Sequence, residues 1–170
     1  MNFKSVSLFA CAFLFVLGIS AQAQPVVEEP VWRESDVPSP PAFDINKLLT
    51  FEVSSASSLV YGVDPATISI TQGDGVVRYV MVATSAGGAS NIMYEGIRCA
   101  TGEFKTYARY STDGRWSLVS NPEWRSMFGN LPSKHALRFA KAGACDNVTP
   151  ALSVKEIVNQ LKYPNSRAVQ

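Results

Sequence analysis

The stretch Tyr94–Tyr110, YEGIRCATGEFKTYARY, decides how this chain is read. Thr101-Gly102 is the natural place for a two-residue hairpin turn, since glycine accepts the positive φ that such turns need. A turn there sets Ala100 opposite Glu103, Cys99 opposite Phe104, Arg98 opposite Lys105 and Gly96 opposite Tyr107. Side chains alternate across a strand, so the register sorts them into two sets. Met93, Glu95, Ile97, Cys99, Phe104, Thr106, Ala108 and Tyr110 form a mainly apolar, core-facing set. Tyr94, Arg98, Lys105, Tyr107 and Arg109 form a basic and aromatic set, with Tyr107 covering the bare Gly96. Arg98 facing Lys105 is unfavourable unless compensated by Glu103, by an acid from the N-terminal arm or by an anionic ligand. That basic face is the candidate anion or ligand surface.

Downstream, Asp113-Gly114 signals a second hairpin that places Trp116 opposite Ser111 and Leu118 opposite Arg109. Both apolar residues then share the basic face, and something must cover them. Upstream, LLTFEV (48–53), SLVYGVD (58–64) and TISIT (67–71) are short β-prone runs. VVRYVMVAT (76–84) is apolar on both faces and reads as a central strand. Helices come last. Ser133 to Gly143 has a plausible cap at each end, and Ser153 with Glu156 forms a capping box ahead of the apolar stripe Val154, Ile157, Val158 and Leu161. The expected fold is α+β: an antiparallel meander of about five or six strands with two C-terminal helices on one face.

The ends of the chain differ from this middle. Lys4 precedes an apolar run from Val6 to Ile19, and Ala21 and Ala23 supply the small residues of a cleavage site. Residues 1–23 therefore read as a signal peptide cut after Ala23, too short and wrongly flanked for a membrane span. A lipoprotein cut at Cys11 would leave almost no apolar run before it. Residues 24–46 hold five of the ten prolines, among Glu28, Glu29, Glu34 and Asp36, and form an extended arm. Trp32 and Phe43 are the points where it lies against the domain. The domain itself spans 47–163, and 164–170 is a flexible tail.

Charge and cysteine count narrow the function. Of 15 basic residues Lys4 leaves with the signal, so 14 face 14 acidic ones in the mature chain. A balanced charge gives no long-range pull on nucleic acid. Cys11 also leaves, and Cys99 with Cys145 then make one disulfide, as suits an oxidising compartment. A zinc site or a metalloprotease helix needs more histidine than the single His135. A serine triad would have to use His135, and no G-x-S-x-G elbow accompanies it. Glu95 and Glu103 lie on opposite faces, which separates them as a carboxylate pair. In NPEWRSMF, Trp124 closes a small core or stacks with Arg125 on a ligand. No catalytic residue, metal or cofactor is assigned from these patterns.

PPAFD (40–44), YGVDPATISI (61–70), GVVRYVMVATS (75–85), MYEGIRCATGEFKTYARY (93–110), EWRSM (123–127) and KAGACD (141–146) together resemble the CNP-one-like family of exported bacterial proteins. The likeness covers roughly residues 31–161. It implies a periplasmic address and brings no activity or catalytic residues with it. The expectation is a periplasmic envelope interaction or binding module, without a membrane anchor after cleavage. Its partner would be another envelope protein or an anionic ligand, and not nucleic acid. The alternative is a small hydrolase or ligand-handling enzyme whose site the motifs do not reveal.

Overall fold

Apolar residues on both faces of one strand demand a cover on each side, and the two covers are different. A computed structural model describes residues 31–164. The expected signal peptide (residues 1–23), residues 24–30 of the expected arm and residues 165–170 of the expected tail lie outside the described residues. The strands are β1 (Leu49–Phe51), β2 (Leu59–Val63), β3 (Ser69–Ile70), β4 (Val76–Ser85), β5 (Ser90–Arg98), β6 (Glu103–Tyr110), β7 (Trp116–Leu118) and β8 (Arg125–Ser126). They form one antiparallel sheet in the order β1-β2-β4-β5-β6-β7. β3 follows β2 along the same edge of β4, and β8 lies with β7 along the same edge of β6. The sheet is thus a six-row meander.

After β8 come α1 (His135–Phe139), a π-helical turn at Ala140–Ala144, the short ladder of β9 (Cys145–Asp146) with β10 (Thr149–Pro150), and α2 (Val154–Lys162). The first helix is shorter than its pattern predicts. Gly143 reaches φ 139°, which ends the helical turn and sends Cys145 into an extended strand. The second helix begins as expected, with the Ser153 side chain accepting from the Glu156 N–H. Phe139, Ala136, Ile157 and Leu161 bury against Val63, Val77, Tyr79, Met81 and Ile97, so both helices lie on one sheet face.

The central hairpin departs from its expected register. Arg98 pairs with Glu103 and Gly96 with Lys105, so the loop is Cys99–Gly102 and not Thr101-Gly102. Gly102 has φ 64°, and its N–H donates to the Cys99 carbonyl. The longer loop sets opposite charges across the ladder, with Arg98 3.8 Å from Glu103, and removes the Arg98–Lys105 clash. A bulge between Tyr94 and Glu95 on one strand and Thr106 and Ala108 on the other leaves Tyr107 as the extra residue. Beyond it the alternation is inverted. Ala108 and Tyr110 join Val80, Val82 and Tyr94 away from the helices, while Arg109 pairs with Met93 on the helix side. Tyr107 still lies over Gly96, where an added Cβ would come within 2.4 Å of its hydroxyl.

The β6–β7 turn also differs by one residue. Ser111 N–H donates to the Arg115 carbonyl, and Gly114 sits at φ 80° as the last residue of a three-residue loop. Trp116 therefore pairs with Tyr110 and Leu118 with Ala108. Phe43 covers Trp116 edge-on at 5.7 Å, whereas Leu118 stays 72% exposed.

The second face is closed by residues 32–43. Trp32 Nε1–H donates to the Asp74 carbonyl at 2.9 Å, and Phe43 meets Tyr110 at 5.0 Å. Between these anchors Glu34 accepts from Lys105 Nζ at 2.5 Å, Tyr107 Oη at 2.6 Å and Arg78 Nη2 at 3.4 Å. Arg78 is wholly buried in the middle of β4, and its guanidinium also reaches Asp74 at 2.8 Å and Thr71 at 2.6 Å. Partial burial pushes the Glu34 carboxyl up, but Lys105, Tyr107 and Arg78 hold it below its ordinary value of 4.5. Burial likewise opposes ionisation of Asp74, and Arg78 with the Val76 and Ser35 N–H groups brings it below 3.8.

Two predictions follow from these ties. Both carboxyls are depressed in the folded chain, so their stabilisation is present above their ordinary values and is lost as pH falls through the lowered ones. Glu34→Gln should lower stability near neutral pH by roughly 1–3 kcal/mol, and denaturant melts should converge with wild type as pH falls from 4.5 through the lowered Glu34 value. A variant whose deficit stays the same from neutral pH to the acid end of that titration would contradict the ion-pair account. The second concerns Cys99 and Cys145, which are bonded with Cα atoms 5.7 Å apart and 46 positions apart in sequence. Replacing both by serine should cost about 2–4 kcal/mol. Wild type in reductant should show the same drop in denaturation midpoint.

Candidate functional site

On the helix side, three residues stand in one row across the central strands. Tyr79 of β4 pairs with Glu95 of β5, and Glu95 pairs with Thr106 of β6. This register alone brings two hydroxyl donors to a carboxylate that has no exposure. Tyr79 Oη donates to Glu95 Oε2 at 3.1 Å, and Thr106 Oγ1 donates to Oε1 at 3.0 Å. Burial, reinforced by the facing Glu95 charge, pushes the Tyr79 hydroxyl well above its usual range, so it remains a neutral donor.

The third partner comes from α1. His135, its first residue, lowers its ring onto this row and places Nε2 2.9 Å from Glu95 Oε2. Tyr61 stacks on the imidazole at an interplanar angle of 6°, and Phe104 meets it edge-on. The other ring nitrogen, Nδ1, lies 3.1 Å from Ser133 Oγ. Ser133 Oγ also receives the His135 backbone N–H at 3.3 Å and lies 3.2 Å from the Tyr61 hydroxyl. A neutral imidazole that gives its Nε2–H to Glu95 has Nδ1 free to accept from Ser133. Ser133, His135 and Glu95 thus form one continuous hydrogen-bonded chain from surface to core.

An open cavity of about 350 Å³ exposes this chain. Leu59, Met93, Phe104 and Leu131 give it apolar walls, and Arg109 and Arg125 bring cations. Arg109 is here because the bulge at Tyr107 moved it across the sheet. Its Nη1 lies 3.1 Å from Met93 Sδ, and the Arg125 guanidinium lies 4.8 Å over the Phe104 ring. Both arginines are solvent-exposed, and among the described residues neither has a carboxylate within 4 Å. Glu123 lines the adjoining pocket with both arginines but forms no ion pair with either, and a pair of guanidinium groups so held on an apolar wall suits a carboxylate or phosphate group.

The residues of the expected basic face are divided by this geometry. Tyr94, Arg98, Lys105 and Tyr107 gather beneath the arm, and Arg109 does not join them. Lys105 and Tyr107 are tied to Glu34; Arg98 stacks on Trp32 at 3.7 Å and pairs with Glu103; Tyr94 packs between Tyr107 and Trp116. Trp124 belongs to the same cluster, edge-on to Trp32 and 4.8 Å from Lys105 Nζ, while its neighbour Arg125 points to the other side. The Glu95–His135–Ser133 chain was not assembled from the sequence. Its one signal was Glu95 itself, an acid on a core face that must find a donor when buried.

Among the described residues no cluster of three His, Cys, Asp or Glu side chains could hold a metal ion, and no helix is long and apolar enough to cross a membrane. No solved structure matches the chain. Cryptic neisserial protein 1 of Neisseria gonorrhoeae (strain ATCC 700825 / FA 1090) is 31% identical over 101 residues, covering 52% of this chain and 49% of that protein. The match therefore spans about half of that relative's length. The model of the CNP1-like family matches residues 27–162, from the arm to the end of α2, and on this match the chain belongs to the CNP1-like family.

Proposed function

We propose that this protein is an exported, periplasmic binding module that takes an anionic group of a small ligand or envelope partner at the mouth of the Arg109–Arg125 cavity. The observation that carries this reading is the pair of exposed guanidinium groups on an apolar wall with no carboxylate within 4 Å among the described residues. Three other arginines are answered by acids of the chain, Arg78 by Asp74 and Glu34, Arg98 by Glu103 and Arg115 by Asp113, whereas Arg138 donates to the Val53 carbonyl. Arg109 and Arg125 are held in place by sulfur and ring contacts, which leave their N–H donors directed to an incoming acid. The leader sequence and the single disulfide support the periplasmic address. The alternative, a small enzyme, is favoured by a separate observation, the hydrogen-bonded serine and histidine on the same cavity wall.

The test is thermal melting in phosphate, sulfate and short dicarboxylates against chloride at matched ionic strength. A ligand at 100 times its dissociation constant stabilises by about 2.7 kcal/mol, which raises Tm by several degrees in a domain of this size. Wild type should gain that shift with at least one of the anions, and the double variant Arg109→Ala/Arg125→Ala should lose it. An equal shift in both proteins, or none in wild type, would defeat the anion reading.

A further inference from the structure

We propose that the same cavity is a serine acyl-transfer centre, in which Ser133 is the nucleophile, His135 its base and Glu95 the positioning residue. The geometry has the parts that such chemistry requires. Ser133 Oγ is 3.1 Å from His135 Nδ1, within reach for proton transfer, and the opposite ring nitrogen is held at 2.9 Å by a fully buried carboxylate. Glu95 is itself fixed by the Tyr79 and Thr106 hydroxyls, so the ring it orients has little freedom. The ring edges are used in the order Nδ1 to serine and Nε2 to carboxylate, and either nitrogen can serve as base when the other carries the proton. Lys134, not Ser133, is the N-cap of α1 and brings no side-chain cap; Ser133 Oγ accepts the His135 N–H at 3.3 Å, and its contacts to Nδ1 and to Tyr61 Oη go beyond that bond.

The substrate class is a small carboxylic ester. Ser133 Oγ adds to the carbonyl carbon as its proton passes to His135 Nδ1. The bond from carbonyl carbon to alkoxy oxygen then breaks, and the alcohol leaves with that proton. Water adds to the acyl-serine carbonyl, giving a proton to Nδ1. The carbon–Oγ bond breaks, Ser133 recovers its proton from Nδ1, and the carboxylic acid departs. Tyr61 Oη accepts from Ser133 Oγ at 3.2 Å, which leaves its own O–H to donate to the oxyanion that forms on that carbonyl. Leu59, Met93 and Leu131 accommodate a short acyl chain. A preference for esters that also carry an acidic group rests on the anion reading above; the nucleophile does not.

The experiment uses the exported chain with its disulfide intact, treated with a fluorophosphonate probe and followed by intact mass and peptide mapping. One adduct is expected, on Ser133, and it should be absent in Ser133→Ala. Short-chain 4-nitrophenyl esters should be hydrolysed, and Ser133→Ala should slow that at least 100-fold. Glu95→Gln should shift the pH profile of labelling, a readout that simple loss of packing would not move. Mapping on wild type decides the matter even if a variant folds poorly. No adduct, an adduct at another residue, or unchanged hydrolysis in a folded Ser133→Ala protein would overturn the proposal. Anion-dependent melting with no labelling would leave the binding module standing and remove the nucleophile. Labelling at Ser133 without any anion shift would do the reverse.

Discussion

A guanidinium with no exposure sits in the centre of the central strand, and much of the fold is arranged around it. Arg78 alternates with Val76, Val80 and Val82 on the face away from the helices, where an unpaired charge would be prohibitive. Asp74 answers it from the turn just before β4, and Glu34 answers it from 44 residues upstream. Glu34 can do so only if the arm crosses the sheet. Trp32, Ser35 and Phe43 hold the arm in that path, through Asp74 and through the Tyr110–Trp116 pair. Residues 32–43 are therefore a layer of the structure, although they form no helix or strand of their own.

The two faces of the sheet deal with charge in opposite ways. Beneath the arm, Arg78, Arg98 and Lys105 each meet an acid or an aromatic ring within the chain, and the Tyr107 hydroxyl completes the network. Burial, followed by the hydrogen bond to Glu34, pushes the Tyr107 hydroxyl far above its usual range, so it acts there as a fixed donor. On the helix side, the acid is at the bottom and the cations are at the rim. Glu95 spends its acceptors on Tyr79, Thr106 and His135, none of them arginine. That division is what leaves Arg109 and Arg125 available.

Much of this was legible in the residues. The strand runs, the capping box at Ser153 and the pairing of Cys99 with Cys145 depend on local pattern or on cysteine count, and they appear as expected. Register was harder. A two-residue turn at Thr101-Gly102 and a four-residue loop from Cys99 both suit a glycine at positive φ, and only the Arg98–Glu103 pairing separates them energetically. The bulge at Tyr107 has no local mark, since a ring over Gly96 suits a bulge-free register equally well. Missing it placed Arg109 on the wrong face. The serine–histidine–glutamate chain joins residues 40 positions apart and depends on how α1 docks, which no periodicity encodes.

The Cys99–Cys145 bond encloses β6, β7, β8 and α1 in one covalent ring, and with them Arg109, Arg125, Ser133 and His135. The exposed stretches inside that ring, such as Ser111–Arg115 and Ser120–Glu123, are where a protease would cut. A single nick there would not release either fragment, because the bond keeps both on the same molecule. Glu95 and Tyr61, which lie before the ring in sequence, would keep their partners within reach. The bond thus serves as a tether for the cavity after such a cut, quite apart from its effect on unfolding.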